Sequence, residues 1–321
     1  MRAMQVVELG HPLALRDVAV PSPGAGEVLV RVAACGLNFG DLLIVKGTYQ
    51  EKPILPATLG MEMAGTVDAV GEGVTHLAVG QRVAAYAGFG GLAEYAALPA
   101  EICVPIPDEM SFVDAAAFLV AYGTSHVALD YKARMQPGER LLVLGASGGV
   151  GLTAVELGKL MGAEVIACAR GADKLEVARQ AGADHLLDSD TCDLRAEVKA
   201  LGGADVVYDP VGGDLFDAAL RACNPEARLL PLGFASGTVP QIPANYLLVK
   251  NLTVLGFYWG GYMQVNPKVL TDSFEVLFGW YAQGRLTPHV SNVLPLEAAN
   301  DGLELLRTRR ATGKVVIEVT G

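Results

Sequence analysis

The chain has 321 residues, which is long enough for two ordinary domains that each have a core. Hydrophobic residues make up 51% of the chain and charged residues 18%, so we expect a compact globular protein rather than a disordered one. The formal net charge of −11 argues against nucleic acid and against anionic membrane surfaces as partners.

The cysteines and the apolar runs indicate the cellular compartment of the protein. The five cysteines are scattered and form no C-x-x-C pair, which is the pattern of reduced intracellular thiols. The N-terminus carries no charged and then apolar leader, and no apolar run reaches the roughly 18 residues of a membrane span. We therefore expect a cytoplasmic protein.

The first part of the chain, to about residue 105, is rich in Val, Gly and Pro and contains short alternating runs. Such runs between Gly and Pro clusters predict strands. They lie at Met4–Glu8, Glu27–Ala33, Ala64–Val70, Arg82–Ala87 and Glu94–Leu98. We expect a β-rich domain that forms a partly open barrel.

The pattern then becomes helical and afterwards alternates strand with helix. Ser111 is the expected N-cap of a segment that leads into a buried helix over Ala115–Val127. Six strands separated by helices follow, which predicts an α/β fold with a full doubly wound parallel sheet. These strands are expected at Leu141–Leu144, Val165–Cys168, His185–Leu187, Ala204–Tyr208, Arg228–Leu232 and Leu252–Tyr258.

The C-terminal tail is too short to fold alone. It should hold a helix from Pro267 to about Gln283 with Gly284 as its cap, a helix over Leu296–Arg307 and a strand at Lys314–Val319. It must pack on one of the two earlier domains. The division we expect is a β-rich domain of residues 1–122 and 262–321, and an α/β domain of residues 123–261.

The most informative stretch runs from Arg140 to Arg170 and predicts strand, tight turn, helix and strand. Four glycines fall within seven positions of the turn, and the motif is Ala146-x-Gly148-x-x-Gly151. Glycines let the backbone approach a pyrophosphate, and a helix N-terminus offers N–H groups and a positive dipole end to the phosphates. The stretch predicts a dinucleotide site, and the alternative is a purely structural turn.

The same turn also fits a second chemistry. Gly145-Ala146-Ser147-Gly148-Gly149 matches G-x-S-x-G, the nucleophile elbow of serine hydrolases. That hypothesis makes Ser147 a nucleophile, with Asp209 and His289 as its acid and base. No HGGG-type oxyanion loop precedes the motif, and the elbow does not require Gly151.

The residues after the second strand bear on the choice of cofactor. An NAD site usually places Asp or Glu there to accept from the ribose 2′-OH. This strand ends in Ala169-Arg170-Gly171 without a carboxylate. Arg170 and Lys174 could instead hold the 2′-phosphate of NADPH, and the alternative is that both are solvated surface cations.

Several segments together resemble the medium-chain dehydrogenase/reductase superfamily, and within it the zinc-free, zeta-crystallin-like quinone oxidoreductase branch. The resemblance covers nearly the whole chain and implies a GroES-like first domain beside the Rossmann domain. The segments that carry it are Gly36-Leu37-Asn38-Phe39-Gly40-Asp41, Leu59-Gly60-Met61-Glu62-Met63-Ala64-Gly65, Gly145–Gly151, Asp209-Pro210-Val211-Gly212-Gly213 and Ala311-Thr312-Gly313-Lys314.

The resemblance also implies that zinc is absent. The zinc-dependent relatives carry ligands at the positions that align with Asn38, Met61 and, less securely, Val120. Asn, Met and Val do not form a zinc site of the usual nitrogen and sulfur type. We therefore expect no metal, and the carbonyl of the acceptor must be polarised by hydrogen-bond donors.

The expected site residues, some inferred from the glycine turn and the end of the second strand and some implied by the resemblance, fall into two groups. Asn38 and Tyr49 are expected in the catalytic cleft between the domains, and Asp41 is expected to orient or cap. For Tyr49 the alternative is an ordinary loop tyrosine, and for the aromatic residues 257–259 it is ordinary core. The expected cofactor-binding positions are Thr124, Ser147, Gly148, Gly149, Val150, Arg170, Lys174, Gly233, Phe234, Phe257, Tyr258, Trp259 and Lys314.

The resemblance implies hydride transfer from NADPH to a quinone or an α,β-unsaturated carbonyl, by a homodimer joined along the sixth strand. Two alternatives stay open. One is an enoyl-thioester reductase of the same superfamily, and the other is a non-enzymatic NADPH-binding protein.

Overall fold

A computed structural model describes residues 1–320 and shows two compact units. The first unit consists of Met1–Val120 and of the chain from Pro288 onward, and the second of Ala121–Thr287. The predicted return to the first domain was at residue 262, so the observed boundary lies later along the chain.

The later boundary follows from how the helix at Pro267–Ala282 packs. His126 Nδ1 lies 2.9 Å from Ser273 Oγ, and the ring of Trp259 meets the ring of Phe274 edge to face at 6.2 Å. Both contacts join this helix to residues of the second unit. The apolar face that the sequence shows is therefore buried there.

The strands and helices of residues 1–320 are numbered here in chain order. The strands are β1 Arg2–Val6, β2 Ala14–Asp17, β3 Glu27–Leu37, β4 Ala57–Thr58, β5 Glu62–Val70, β6 Arg82–Tyr86, β7 Tyr95–Pro99, β8 Cys103–Pro105, β9 Arg140–Leu144, β10 Glu164–Ala169, β11 His185–Asp188, β12 Ala204–Asp209, β13 Cys223–Pro231, β14 Thr253–Val254, β15 Val290–Pro295 and β16 Lys314–Glu318. The α-helices are α1 Phe39–Lys46, α2 Phe112–Ala116, α3 Leu119–His126, α4 Gly149–Leu160, α5 Ala172–Gln180, α6 Leu194–Ala200, α7 Gly213–Ala222, α8 Ala244–Lys250, α9 Tyr262–Val265, α10 Pro267–Ala282 and α11 Ala299–Arg307.

The first unit is built on a sheet of seven strands that is mostly antiparallel. Its order is β15-β16-β3-β5-β6-β8, and β7 also pairs with β3. A smaller sheet has the order β2-β1-β4. Strand β3 lies between β16 and β5, and both neighbours run antiparallel to it and begin where it ends. That register brings the first residues of β5 and β16 beside the residue that follows β3.

The second unit contains a six-stranded, fully parallel sheet in the order β11-β10-β9-β12-β13-β14. This is the strand order of dinucleotide-binding doubly wound sheets, and it confirms the predicted fold class. The order reverses between β9 and β12. In such sheets ligands bind beyond the carboxyl ends of the strands at this switch point.

Two predicted elements differ most from the structure. The single helix expected over Ala115–Val127 is two helices, because the N–H groups of Ala117 and Phe118 bond three residues back and tighten the chain between α2 and α3. The sixth strand is only two residues long. Its pairing ends close to Pro231 of β13, which has no N–H to offer a further partner.

Within residues 1–320, no helix is both long enough and apolar enough to cross a membrane.

Candidate functional site

The glycine turn of the second unit connects β9 to α4. Gly145 adopts a φ of +62°, which side chains rarely tolerate, and Gly148 is the extended residue that precedes the helix. The 12-residue helix that follows begins at the carboxyl end of β9, next to the switch point. Its first N–H groups have no partner within the helix and point out of its N-terminus. The turn therefore offers an anion-binding position where a doubly wound sheet binds ligands.

Two glycines of this turn serve different purposes. A Cβ at Gly151 would lie 2.2 Å from the carbonyl oxygen of Gly145, so the close approach of helix and turn requires glycine there. A Cβ at Gly148 would come no nearer than 3.4 Å to any protein atom considered, again the Gly145 oxygen. That is an ordinary van der Waals contact, so the fold itself tolerates a Cβ at Gly148 and does not require glycine there.

A buried cluster of hydroxyl groups contacts the first turn of α4. Sequence analysis did not predict this cluster. Ser125 Oγ donates to the Val150 carbonyl oxygen at 2.9 Å and lies 2.8 Å from both Thr153 Oγ1 and Tyr208 Oη. Thr153 Oγ1 lies 3.0 Å from the Ala121 carbonyl oxygen, and its single hydrogen can be donated there or to Ser125 Oγ. These bonds tie α4 to α3 and β12. The only sequence signal was polar residues within otherwise apolar buried segments.

The predicted phosphate-reading residue Arg170 follows β10 on the surface. Its Nε lies 3.1 Å from Asp190 Oδ1, and both side chains are more than half exposed. Asp188 pairs in register with Ala169, and its carboxylate accepts the N–H groups of Asp190 and Gly171, which lowers the pKa of Asp188. The neighbouring strand thus brings two carboxylates to a place where the local sequence had none. Sequence analysis missed them because they lie at the end of β11 rather than of β10.

The other predicted cofactor positions of the second unit follow the ends of parallel strands or lie on the adjoining helices. Ser147, Gly148, Gly149 and Val150 follow β9, Lys174 lies on α5 after β10, and Gly233 and Phe234 follow β13. Phe257 and Tyr258 follow β14, and Thr124 lies on α3 beside the hydroxyl cluster. Trp259 is buried against Gly123, where a Cβ would come within 2.9 Å of the indole ring. All of these positions remain predictions for cofactor binding.

A buried charge cluster is the main feature of the first unit. Lys314 Nζ donates to Asn38 Oδ1 at 2.7 Å and to Glu62 Oε1. Glu62 Oε1 also accepts from Asn38 Nδ2 at 2.9 Å, and Glu62 Oε2 accepts the Val120 N–H at 2.9 Å. Lys314 is 4% exposed and Glu62 is 1% exposed, so this is an ion pair almost without solvent. Lys314 was predicted to approach the cofactor, and here its ammonium binds Asn38 and Glu62.

The amide of Asn38 is largely saturated by this cluster. Its Nδ2 donates to the Gly36 carbonyl oxygen at 3.2 Å as well as to Glu62, and its Oδ1 accepts from Lys314. The opposite orientation of the amide would direct N–H groups at an ammonium, which can only donate. Asn38, predicted to polarise the acceptor's carbonyl, therefore has both N–H groups engaged and retains only a lone pair on Oδ1.

Asp41 lies on helix α1, which begins directly after Asn38, and Tyr49 lies in the loop that follows this helix. Asp41 Oδ2 accepts the Asn38 N–H at 2.8 Å, so the capping role expected for Asp41 is confirmed. Its Oδ1 is buried and has no hydrogen-bond partner among residues 1–320. Burial raises the pKa of Asp41 to about 7. Tyr49 lies in the loop after α1, and its ring comes within 3.4 Å of a Cβ placed on Gly40.

The positions that align with zinc ligands do not fit the metal. Asn38 binds Lys314 and Glu62 instead, Met61 is buried with its sulfur 2.7 Å from a Cβ placed on Gly40, and Val120 has no side-chain donor. Within residues 1–320, no group of three or more His, Cys, Asp or Glu side chains is placed to hold a metal ion. The donor set is thus wrong for zinc, and a lysine ammonium lies 2.7 Å from the side-chain oxygen of Asn38, the first aligned position.

The residues of the hydrolase hypothesis have other partners. The Asp209 carboxylate accepts the N–H groups of Val211 and Gly212, and burial raises the pKa of Asp209 to about 6. His289 Nε2 lies 3.0 Å from Thr312 Oγ1. Asp209 thus stabilises a turn instead of orienting an imidazole, which a catalytic triad requires.

Comparison with known proteins agrees with this geometry. The alcohol dehydrogenase GroES-like domain family matches residues 24–108, and the zinc-binding dehydrogenase family matches residues 149–274. A quinone oxidoreductase-like protein 2 homolog of Nematostella vectensis is 40% identical over 98% of this chain and 88% of its own length.

Two solved structures share the whole fold. Escherichia coli quinone oxidoreductase complexed with NADPH is 30% identical, with a TM-score of 0.92 over 99% of this chain and 100% of its own. An NAD-dependent alcohol dehydrogenase is 33% identical, with a TM-score of 0.91 over the full length of both chains. The chain belongs to the quinone oxidoreductase-like branch of the medium-chain dehydrogenase/reductase superfamily.

Proposed function

We propose that this protein is an NADPH-dependent oxidoreductase that transfers hydride to a quinone or an α,β-unsaturated carbonyl without zinc. The observation that carries the proposal is the glycine turn at the switch point of the parallel sheet. There a Cβ at Gly148 would make only an ordinary van der Waals contact, at 3.4 Å from the Gly145 carbonyl oxygen, while Gly151 is required by the fold. A purely structural turn has no need for glycine at a position that accepts a Cβ.

The preference for NADPH is the finer part of the proposal. It is supported by Arg170, whose guanidinium is exposed at the end of β10, and by the relative from Escherichia coli, which is complexed with NADPH. Asp188 and Asp190 act against it, because carboxylates near a 2′-phosphate repel it. Arg170 must leave Asp190 to bind the phosphate. An exposed ion pair is worth only about 0–1 kcal/mol, so this exchange costs little.

When bound, the cofactor supplies the hydride, and the chain's own residues supply binding and electrostatics. The backbone of the glycine turn holds the pyrophosphate, and the hydroxyl cluster of Ser125, Thr153 and Tyr208 keeps the first turn of α4 in place. Donors placed where negative charge develops on the acceptor lower the barrier. The misfit of Asn38, Met61 and Val120 to zinc supports a role for protein donors rather than a metal.

The proposal is tested by following NADPH oxidation with three acceptors: a quinone, a short enone and an enoyl-CoA. Turnover with the first two is the expected result. Turnover confined to the enoyl-CoA would identify an enoyl-thioester reductase, and NADPH binding without turnover would identify a binding protein. Elemental analysis of the same sample should find no stoichiometric zinc, and dialysis against a chelator should leave the activity unchanged.

We also propose that the protein is a homodimer joined along β14. That strand pairs only with β13 among residues 1–320, so its other edge is available. Leu248 and Val249 on the preceding helix α8 are 79% and 76% exposed, which favours burial against another chain. Light scattering at micromolar concentration should give twice the chain mass, and a monomer would contradict this proposal.

A further inference from the structure

The charge cluster of Asn38, Glu62 and Lys314 contains only one group with a donor to spare. Both N–H groups of Asn38 are engaged, by Gly36 and by Glu62. An ammonium has three N–H donors, and among residues 1–320 Lys314 Nζ uses two of them, one for Asn38 and one for Glu62. The third is left over.

The burial of the cluster makes this donor strong. Lys314 and Glu62 have 4% and 1% of their surface exposed, whereas Asn38 is only partly buried, so the cluster reaches solvent at Asn38. An ammonium that is held by two acceptors and shielded from water is already oriented and needs little rearrangement when charge appears near it. Hydrogen bonds from a charged donor are also about twice as strong as neutral ones.

We propose that Lys314, and not Asn38, is the hydrogen-bond donor that stabilises negative charge on the reduced acceptor. Asn38 and Glu62 are positioning residues, which hold the ammonium. The proposal rests on the oxidoreductase function proposed above. In this proposal the Lys314 ammonium supplies the positive charge that stabilises the reduced acceptor. The residues around it do not fit a metal ion that could supply that charge.

The step balances as follows. Hydride brings one proton and two electrons from the nicotinamide to the electrophilic carbon of the acceptor. That carbon is the far end of a C=C–C=O system: its C=C π bond breaks, a new C=C bond forms to the carbonyl carbon, and the C=O π electron pair ends on the acceptor oxygen as an enolate. In a quinone, loss of a proton from the carbon that received the hydride then gives the aromatic phenolate. Lys314 donates a hydrogen bond to that oxygen and keeps its proton, because Glu62 stabilises the ammonium. A proton from water completes the reduction.

The test measures binding of 4-nitrophenolate, a coloured anion that resembles a reduced quinone, with and without NADP+. The neutral 4-nitrotoluene serves as a probe of similar size. Lys314→Met should weaken phenolate binding about tenfold or more, since a charge-assisted hydrogen bond is lost, and should leave 4-nitrotoluene binding unchanged. Lys314→Arg should retain most of the phenolate affinity, and Asn38→Ala should weaken it only about threefold, since the donor remains.

Lys314→Met alone leaves Glu62 buried without its cation and could fail to fold. The double variant Glu62→Gln/Lys314→Met removes both charges together and should show the same selective loss of phenolate. Equal loss of both probes would show a structural role and overturn the proposal. The proposal would also be overturned if the double variant kept its phenolate affinity, or if that affinity were lost only in Asn38→Ala. A wild-type protein that does not bind phenolate would overturn it as well.

The same proteins separate this inference from the proposed function. If wild-type protein turns over quinones while Lys314 variants bind phenolate normally, the function stands and the inference fails. If the acceptors are not reduced but phenolate binding depends on Lys314, the anion site stands and the function fails. When both hold, Lys314→Met should lower kcat and leave the dissociation constant of NADPH unchanged.

Discussion

The two units differ in the chemical groups that we propose stabilise negative charge. The glycine turn of the second unit offers backbone N–H groups, and its essential feature is the lack of side chains at Gly148 and Gly151. The charge cluster of the first unit offers side chains only, and each of its members depends on the other two. We therefore expect NADPH binding at the turn to tolerate loss of a polar side chain but not the addition of carbon atoms, and the cluster to be sensitive to the loss of a charged side chain.

The largest expected effect comes from bulk in the glycine turn. Gly148→Val should weaken NADPH binding roughly a hundredfold or more, because its methyl groups occupy the space of the phosphates and several hydrogen bonds are lost together. The fold should survive, since a Cβ at Gly148 meets no atom closer than 3.4 Å. Isothermal titration calorimetry measures the affinity, and circular dichroism checks the fold.

Gly151→Ala is the matched control for that variant. Its Cβ would lie 2.2 Å from the Gly145 oxygen, so this smaller change should lower the free energy of unfolding by about 1–3 kcal/mol. Unfolding by urea measures the loss. The contrast between the two glycines fails if Gly148→Val binds NADPH normally, or if it unfolds while Gly151→Ala stays stable.

The second effect concerns Asp41, which lies beside the charge cluster. Because burial raises its pKa from 3.8 to about 7, the unfolded chain loses this proton first as the pH rises. The free energy of unfolding should therefore fall between about pH 4 and pH 7, by about 1.4 kcal/mol per pH unit from this group, and become constant above pH 7.

Asp41→Asn should remove that contribution, because the amide does not titrate and its oxygen can still accept the Asn38 N–H. Urea unfolding of both proteins at pH 5 and pH 7 measures the difference in slope. Asp209, whose pKa is also raised, is common to both proteins and cancels from the comparison. Equal slopes would show that Asp41 is ionised throughout this range.

The two regions also differ in how far the sequence could predict them. The turn at residues 145–151 is contiguous, so strand, glycines and helix could be recognised together. Glu62 and Lys314 are 252 positions apart, and only the register of β3 with β5 and β16 brings them together. Lys314 was expected near the cofactor and Asn38 as a donor. Without the strand register, nothing in the sequence indicated that Lys314 would donate a hydrogen bond to Asn38.

The same limit explains the carboxylates beside Arg170. The sequence after β10 correctly showed none, but Asp188 and Asp190 arrive from the end of the adjacent strand β11. Local patterns predicted the order of strands and helices well, because each element carries its own periodicity. Contacts between elements follow from register, which a single sequence does not show.

A smaller effect is expected at Arg170. Arg170→Ala should raise the dissociation constant of NADPH about tenfold, since one charge-assisted hydrogen bond to the phosphate is lost, and should hardly change that of NADH. Asp190→Asn is the matched variant, because it frees Arg170 from its ion pair. It should tighten NADPH binding about two- to threefold. Equal losses for both cofactors in Arg170→Ala would show that this residue does not bind the 2′-phosphate.

The smallest effect is expected at Ser147. A substitution there tests whether NADPH binding by the glycine turn depends on a side chain. If backbone N–H groups do most of the binding, Ser147→Ala should change NADPH affinity by less than about threefold. If Ser147 were a nucleophile, the same substitution would abolish turnover, and an organophosphonate would label that residue. Asp209 binds the turn at Val211 and Gly212, so no oriented imidazole is expected to activate the serine. Labelling of Ser147, together with unchanged NADPH binding in Gly148→Val, would overturn the oxidoreductase proposal.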